Sequence, residues 1–285
     1  MQAAVAFAAQ SAMAQSGPQM RLGIILGVSD PDSAIRRVHD LGFPTCQVVP
    51  RETDSAAADK LRKALNQYGI EASSAVATGP APEVYDFYRG PITIGLVPKQ
   101  YREARIARIQ QVSDFAKRAG IPAVQTHCGF IPEDPNMPLY TEAVEAIRAV
   151  AQYCRNNGQH FNCETGQETP ITLVRAIHDV GLDNVGVNFD VANLILYGKA
   201  DPVEAADVLG PYVQGVHAKD GLYPTDPKKL GEEVPIGTGK VNFPAVIAKL
   251  KKFGYQNPLT IEREISGEKQ TADILASKAY LEKLI

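Results

Sequence analysis

The sequence has no apolar run near the roughly 20 residues that span a bilayer, so a membrane-spanning helix is excluded. It has no block of basic residues either: 29 Lys+Arg stand against 32 Asp+Glu, a formal net charge of -3. Nucleic acid and anionic membrane surfaces attract proteins through dense positive charge, so neither is an expected partner. Cysteine is scarce. Cys46, Cys128, Cys154 and Cys163 form no C-x-x-C pair, and in a chain this long they read as buried thiols rather than a disulfide framework. No linker or shift of composition divides the chain, and no short-period repeat is evident. The first 20 residues carry no charged side chain. They are read as outside the fold, either a disordered tail or the remnant of an export signal. The small-residue pattern Ala12-Met13-Ala14 of such a signal is present, but its basic leading region is not. The cytoplasm is the expected location, and the periplasm the alternative if that segment belongs to an export signal.

What is present is an ordinary globular balance, 45% hydrophobic and 21% charged in 285 residues, enough to bury a full core. Residues 21–285 read as one domain, about 33 residues for each of eight βα units. Eight β-rich runs fall at 21–27, 45–50, 70–77, 121–127, 160–165, 184–190, 212–218 and 258–263, each followed by a helical pattern. Helix starts are marked. Asp30-Pro31, Thr169-Pro170 and Asp201-Pro202 place a capping residue before a proline, whose fixed φ suits the first helical position. Strict alternation of strand and helix argues for a parallel sheet with helical crossovers. A doubly wound dinucleotide-binding sheet should carry G-x-G-x-x-G after its first strand, and Gly23-Ile24-Ile25-Leu26-Gly27 does not supply it. The expected fold is therefore a single α/β TIM barrel, (β/α)8, with its functional side chains at the C-terminal strand ends.

Four candidate ligands stand at such ends: Glu164, Asp190, His217 and Glu262, at spacings of 26, 27 and 45 residues. The first two spacings are one βα unit each, and the third is a unit plus a long loop. Strand side chains two apart share a face. Glu164 thus shares its face with Asn162, Asp190 with Asn188 and Gly186, His217 with Gly215, and Glu262 with Thr260. The alternate residues Cys163, Val187, Phe189, Val216 and Ile261 should pack under the helices. On this reading the inward face holds three carboxylates and an imidazole, with no Lys or Arg beside them. A divalent cation would relieve their repulsion, and Asn162, Asn188 and Thr260 would orient the ligands by hydrogen bonds. Mixed oxygen and nitrogen ligation suits manganese or magnesium, with cobalt and zinc as alternatives.

These segments carry a resemblance. NCETGQE (162–168), NFDVANL (188–194), GVHAKD (215–220), IGTGKVNF (236–243) and LTIEREISG (259–267) resemble the xylose isomerase-like superfamily of sugar phosphate isomerases and epimerases. The likeness extends over about residues 21–285 and is strongest over 160–267. It implies that Glu164, Asp190, His217 and Glu262 hold one divalent cation, Mn2+ or Mg2+ foremost. It also implies that Glu164 and Glu262 are the catalytic acid/base pair flanking a small carbohydrate. A carboxylate cannot unaided remove a proton α to a carbonyl, but a cation on the carbonyl and its neighbouring hydroxyl stabilises the enediolate. Proton return then gives an epimer or an isomer, and loss of a β-hydroxyl gives a dehydration. The expected activity is a metal-dependent sugar isomerase or epimerase. The alternative is a dehydratase, a carbon-oxygen lyase acting on a keto-cyclitol or an oxidised glycoside.

One departure bears on the subgroup. Ketose 3-epimerases carry His three residues after the strand-six Asp, and here that residue is Asn193. It either replaces the hydrogen bond of that imidazole or caps the following turn. The related trinuclear zinc nucleases need several more histidines at the mouth than His127 and His217. Further substrate-binding candidates are His127 at the end of strand four, Gln167, Lys219 and Arg263, with Gln47 on strand two a weaker one. Lys219 and Asp220 would alternatively form a local ion pair. Gly237-Thr238-Gly239-Lys240 is either an anion-binding turn of the kind that holds phosphate in barrels or a tight turn before the next helix. Assembly into a homo-oligomer stays open at this level.

Overall fold

The computed structural model describes residues 20–80 and 82–285. The expectation of a tail or export-signal remnant falls on residues outside that set, except for Met20, which is buried against the core. Eight parallel strands close into a barrel in sequence order. They are β1 (Leu22–Val28), β2 (Thr45–Pro50), β3 (Glu71–Val76), β4 (Ala123–His127), β5 (His160–Glu164), β6 (Val185–Asp190), β7 (Val213–Ala218) and β8 (Leu259–Ile261). The outer helices are α1 (Pro31–Asp40), α2 (Ser55–Tyr68), α3 (Lys99–Ala119), α4 (Pro138–Asn156), α5 (Pro170–Val180), α6 (Pro202–Leu209), α7 (Phe243–Lys252) and α8 (Glu268–Leu281). This is a single (β/α)8 barrel. No helix among the described residues is long and apolar enough to cross a membrane.

Local chemistry sets the helix starts. The Asp30 side chain accepts from Ser33 N–H ahead of Pro31, and Asp201 accepts from Val203 and Glu204 ahead of Pro202. Before Pro170, Thr169 makes no such bond to the backbone; its hydroxyl donates to Glu133 instead. The outward strand residues behave as period two requires. Cys163, Val187, Phe189, Val216 and Ile261 are all buried in the layer between strands and helices.

The strand-eight ladder is shorter than its sequence pattern, ending at Ile261. Glu262 N–H nevertheless donates to Ala218 carbonyl at 3.0 Å, which keeps that residue on the barrel rim. The four ligand candidates are not level in the ladder. His217 is the partner of both Asp190 and Thr260, whereas Glu164 is the partner of Asn188. Glu164 is thus two residues behind Asp190, and Glu262 two beyond His217. Strands of a closed barrel are tilted and staggered, and such offsets bring side chains to a common height around the axis.

Candidate metal centre and active site

Glu164, Asp190, His217 and Glu262 each offer a ligand atom, and these atoms lie within 4.8 Å of one another. Each has a support that follows from its place in the fold. Asp190 ends β6 and also starts the short helix Val191–Leu196. Its Oδ1 accepts from Ala192 and Asn193 N–H at 2.9 and 2.8 Å. Its Oδ2 is buried, faces the cluster and has no hydrogen-bond donor among the described residues. The nearest cationic nitrogens, Lys219 Nζ at 3.7 Å and His217 Nδ1 at 3.8 Å, stand beyond hydrogen-bond reach, and a buried anionic oxygen so placed fits a cation ligand.

His217 is held from across the barrel. Its Nε2 lies 2.7 Å from Gln47 Oε1, which also accepts from Gln125 Nε2 at 3.1 Å. The His217 nitrogen is also 3.2 Å from Gln125 Nε2, and the shorter contact, to an amide oxygen that can only accept, assigns the proton to His217 Nε2. Nδ1 is thereby turned to the carboxylates, 3.0 Å from Glu164 Oε1 and 3.3 Å from Glu262 Oε2. The residues expected to orient the ligands do not do so. Asn162 Oδ1, both amide atoms of Asn188 and Thr260 Oγ1 have no partner among the described residues. They fill the barrel interior, and the orienting role falls to Gln47, 170 residues from His217. Gly215 makes that packing feasible: a Cβ there would come within 2.5 Å of Asn188 Oδ1.

The inward face is not free of cations. Lys219 lies two residues beyond His217 and so on the same face, and only 1% of its side chain is exposed. Its Nζ is 3.0 Å from Glu264, 3.2 Å from Glu262 and 3.7 Å from Asp190. It also donates to Asn193 Oδ1 at 3.3 Å. Asn193 in turn donates to Thr165 carbonyl, so its side chain braces Lys219 against the β5 loop. Lys219 and Asp220 make no ion pair with each other among the described residues, since their side chains point to opposite faces.

These charges set the protonation states. Burial pushes the Glu262 carboxyl up, but Lys219 and His217 outweigh it and hold it well below the usual range. Burial likewise opposes ionisation of Glu164, and His127 and His217 bring it below its ordinary value. At Asp190 burial wins, offset in part by Lys219, and the carboxyl is pushed up to about 6. Burial would lower the His217 imidazole, but Glu164 and Glu262 hold it well above its ordinary value. Lys219 stays charged for the same reason.

The remaining sequence candidates separate. His127 is the ladder partner of Glu164, with Nε2 3.6 Å from Glu164 Oε1, and it shares a cavity with Glu164, Glu262, Glu264 and Tyr85. The Tyr85 ring packs edge-on against His127 at 5.6 Å. Gln167 is buried, with neither amide atom hydrogen-bonded among the described residues, and lies next to the Tyr197 hydroxyl. Arg263 is engaged by Glu233 and Asp273 at 2.9 Å each and pairs with none of the four ligand candidates among the described residues. Tyr85 and Glu264 had no signal in the sequence, because both lie outside regular strands where periodicity assigns no face.

Glu168 is a buried acid beside the site, with neither oxygen partnered among the described residues. Burial pushes it up to about 8. The folded protein therefore holds a proton that the unfolded chain releases near its ordinary 4.5. Stability from this group is full below that value and is lost as pH rises towards 8. Glu168→Gln is expected to flatten that decline and to exceed the parent protein in stability at pH 8. Urea unfolding from pH 5 to 8.5 reads this directly, and parallel pH profiles for the two proteins would refute it.

A closed barrel with an oxygen-and-imidazole cluster at its C-terminal mouth defines a TIM-barrel protein built around a candidate cation site. More specifically, the chain belongs to the xylose isomerase-like TIM barrel family, whose sequence model matches residues 35–284. The xylose isomerase domain protein of Planctomyces limnophilus is 35% identical, covers 94% of this chain and 98% of its own, and superposes with a TM-score of 0.88. A D-psicose 3-epimerase crystallised in the presence of D-fructose covers 93% of this chain and 99% of its own. At 17% identity and a TM-score of 0.70 it shares the fold. A barrel of this type from Mycobacterium smegmatis, solved in complex with magnesium, is 23% identical, covers 88% and 86%, and gives a TM-score of 0.64. MJ1311 of Methanocaldococcus jannaschii is 28% identical over 197 residues, 65% of this chain. The chain spans slightly less than two thirds of that relative, 64% of its length.

Proposed function

We propose that this protein is a metal-dependent sugar isomerase or epimerase that works through an enediolate, with Glu164 and Glu262 as its acid/base pair. The observation that carries this reading is the convergence of four ligand atoms within 4.8 Å beside a cavity lined by both glutamates. The donor-free Asp190 Oδ2 supports cation binding at the same place. Glu164, Asp190, His217 and Glu262 would hold one divalent cation, Mn2+ or Mg2+. That cation would supply Lewis acidity towards adjacent substrate oxygens.

The chain's own residues do the rest. Gln47 fixes the His217 ring, and Asp190 is anchored by two backbone N–H groups. Glu164 and Glu262 are both held ionised, the state a base requires. One removes the proton α to the carbonyl and becomes the carboxylic acid. Delivery of a proton to the opposite face by the other glutamate, after it has taken one from water, gives the epimer. Return by the first glutamate to the adjacent carbon gives the isomer. His127 and Tyr85 form a wall on which a polyol can hydrogen-bond and stack. The buried Lys219 ammonium provides a fixed positive charge towards an oxygen that becomes negative during proton removal.

The test is solvent exchange. The protein loaded with Mn2+ is incubated in D2O with a panel of ketoses, keto-acids and inososes, followed by NMR. Deuterium at the carbon α to the carbonyl, with conversion to an epimer or isomer, is the expected result. Net loss of water would assign the dehydratase reading instead. No exchange with any member of the panel would sink the proposal.

A further inference from the structure

The connection from β3 to α3 supplies part of the site's wall, although its only regular structure is the short helix Gly90–Thr93. Glu83 and Tyr85 line the same cavity of about 130 Å³ as His127, Glu164 and Glu262. Tyr85 is 48% exposed, so core packing does not place it and the path of the loop backbone must. One end of this loop is fixed on the exit of β4, just beyond His127. Leu96 N–H donates to Cys128 carbonyl there at 2.9 Å. Gly95, at φ +71°, permits the approach, since a Cβ on it would come within 2.3 Å of the Cys128 carbonyl.

The other end is reached by one side chain. Arg105, on α3, is 2% exposed. Its guanidinium donates to backbone carbonyls, Nη1 to Gly95 at 2.6 Å and Nη2 to Pro82 at 2.9 Å and to Thr93. No carboxylate among the described residues is within ion-pair distance of it. A buried cation without an acid partner is costly, and these carbonyls and the Tyr101 ring, 4.9 Å from its Cζ, offset that cost. The planar group reaches both ends of the loop at once, which a single ammonium does not reproduce. Thr93 passes the constraint on: its Oγ1 accepts from Val84 N–H at 3.1 Å, next to Tyr85. We propose that Arg105 is a positioning residue for the substrate, tying Pro82 to Thr93 and Gly95 and so holding Glu83 and Tyr85 at the cavity. The inference rests on the proposed sugar-converting function and deepens it, since it assigns this anchor to substrate affinity rather than to proton transfer. Glu164 and Glu262 stand on β5 and beyond β8, and the contacts that hold them ionised do not involve the loop.

Two measurements separate this inference from the activity it rests on. Amide hydrogen exchange needs no substrate: Arg105→Met should speed exchange at residues 83–92 by about tenfold or more, while β5 to β7 keep their protection. Kinetics use a ketose that the parent converts, at saturating Mn2+. Arg105→Met should raise KM by about tenfold and leave kcat within about threefold, as loss of binding common to ground and transition state requires. Tyr85→Ala should raise KM similarly, and the double variant should be no worse than the worse single one, because both changes remove the same contribution. Should Arg105→Met not fold, Arg105→Lys, which keeps the charge and loses the double reach, should show the same pattern to a smaller extent. Unchanged exchange at residues 83–92, a fall in kcat at constant KM, or additive effects of Arg105 and Tyr85 would overturn the inference. A parent inactive on every ketose would sink the sugar-converting reading alone, and faster exchange at residues 83–92 would still support the anchor.

Discussion

Glu262→Gln is expected to lower solvent proton exchange by at least about 10³-fold while leaving the barrel folded, within the range that a positioned acid or base contributes. The side chain lies on the rim just beyond β8 and is 13% exposed, against 4% for Glu164. It therefore reaches the cavity without carrying core packing. Gln keeps its shape and its hydrogen-bonding capacity but cannot take a proton at neutral pH. The change also removes a negative charge from beside Lys219 and His217, so divalent cation affinity should fall as well. Exchange must for that reason be measured at saturating Mn2+, with circular dichroism and melting to verify the fold. A variant that exchanges within tenfold of the parent under those conditions would remove Glu262 from the chemistry.

Lys219→Met should have the second large effect, and of opposite sign for stability and cation binding. The ammonium is buried among three carboxylates, those of Glu262, Asp190 and Glu264. Breaking a buried ion pair by removing one partner costs about 3–5 kcal/mol, because the other charge is left without compensation. Glu264 is 60% exposed on its side chain and can turn to water, so the cost is concentrated on Glu262 and Asp190. The cation-free variant should therefore melt well below the parent. A divalent cation replaces the missing positive charge, so its affinity should rise by about tenfold or more, corresponding to some 1.4 kcal/mol. Isothermal titration with Mn2+ and calorimetry with and without the cation read both effects. Unchanged melting together with unchanged affinity would mean that Lys219 is not part of the site's charge balance.

Both expectations depend on features that differ in how readable they are from residues alone. The eight βα units follow from alternation of β-rich and helical runs and from caps such as Asp30-Pro31. The approach of Glu164, Asp190, His217 and Glu262 follows from spacings of 26 and 27, one ligand per unit, with period two placing each on the inward face. These are local periodicities, and a closed barrel converts them into convergence without further information. The reading that this face lacks a cation failed at one step. It stopped at His217, although Lys219 two residues later continues the same face past the end of the strand pattern.

By itself, then, the sequence determined the barrel, the face on which its polar residues stand and the four residues that meet at the mouth. Tertiary structure alone decided how they are held. Gln47 reaches His217 because closure places β2 across the barrel from β7. Asp220 meets the Gly237–Gly239 turn because a long loop folds back on the strand it leaves. Arg263 is taken by Glu233 and Asp273, which no spacing connects to it. Strand and helix periods arise from the geometry of one chain segment and repeat along it, so they are written locally. Which donor meets which acceptor depends on stagger, tilt and loop path, and those are settled only when the barrel closes.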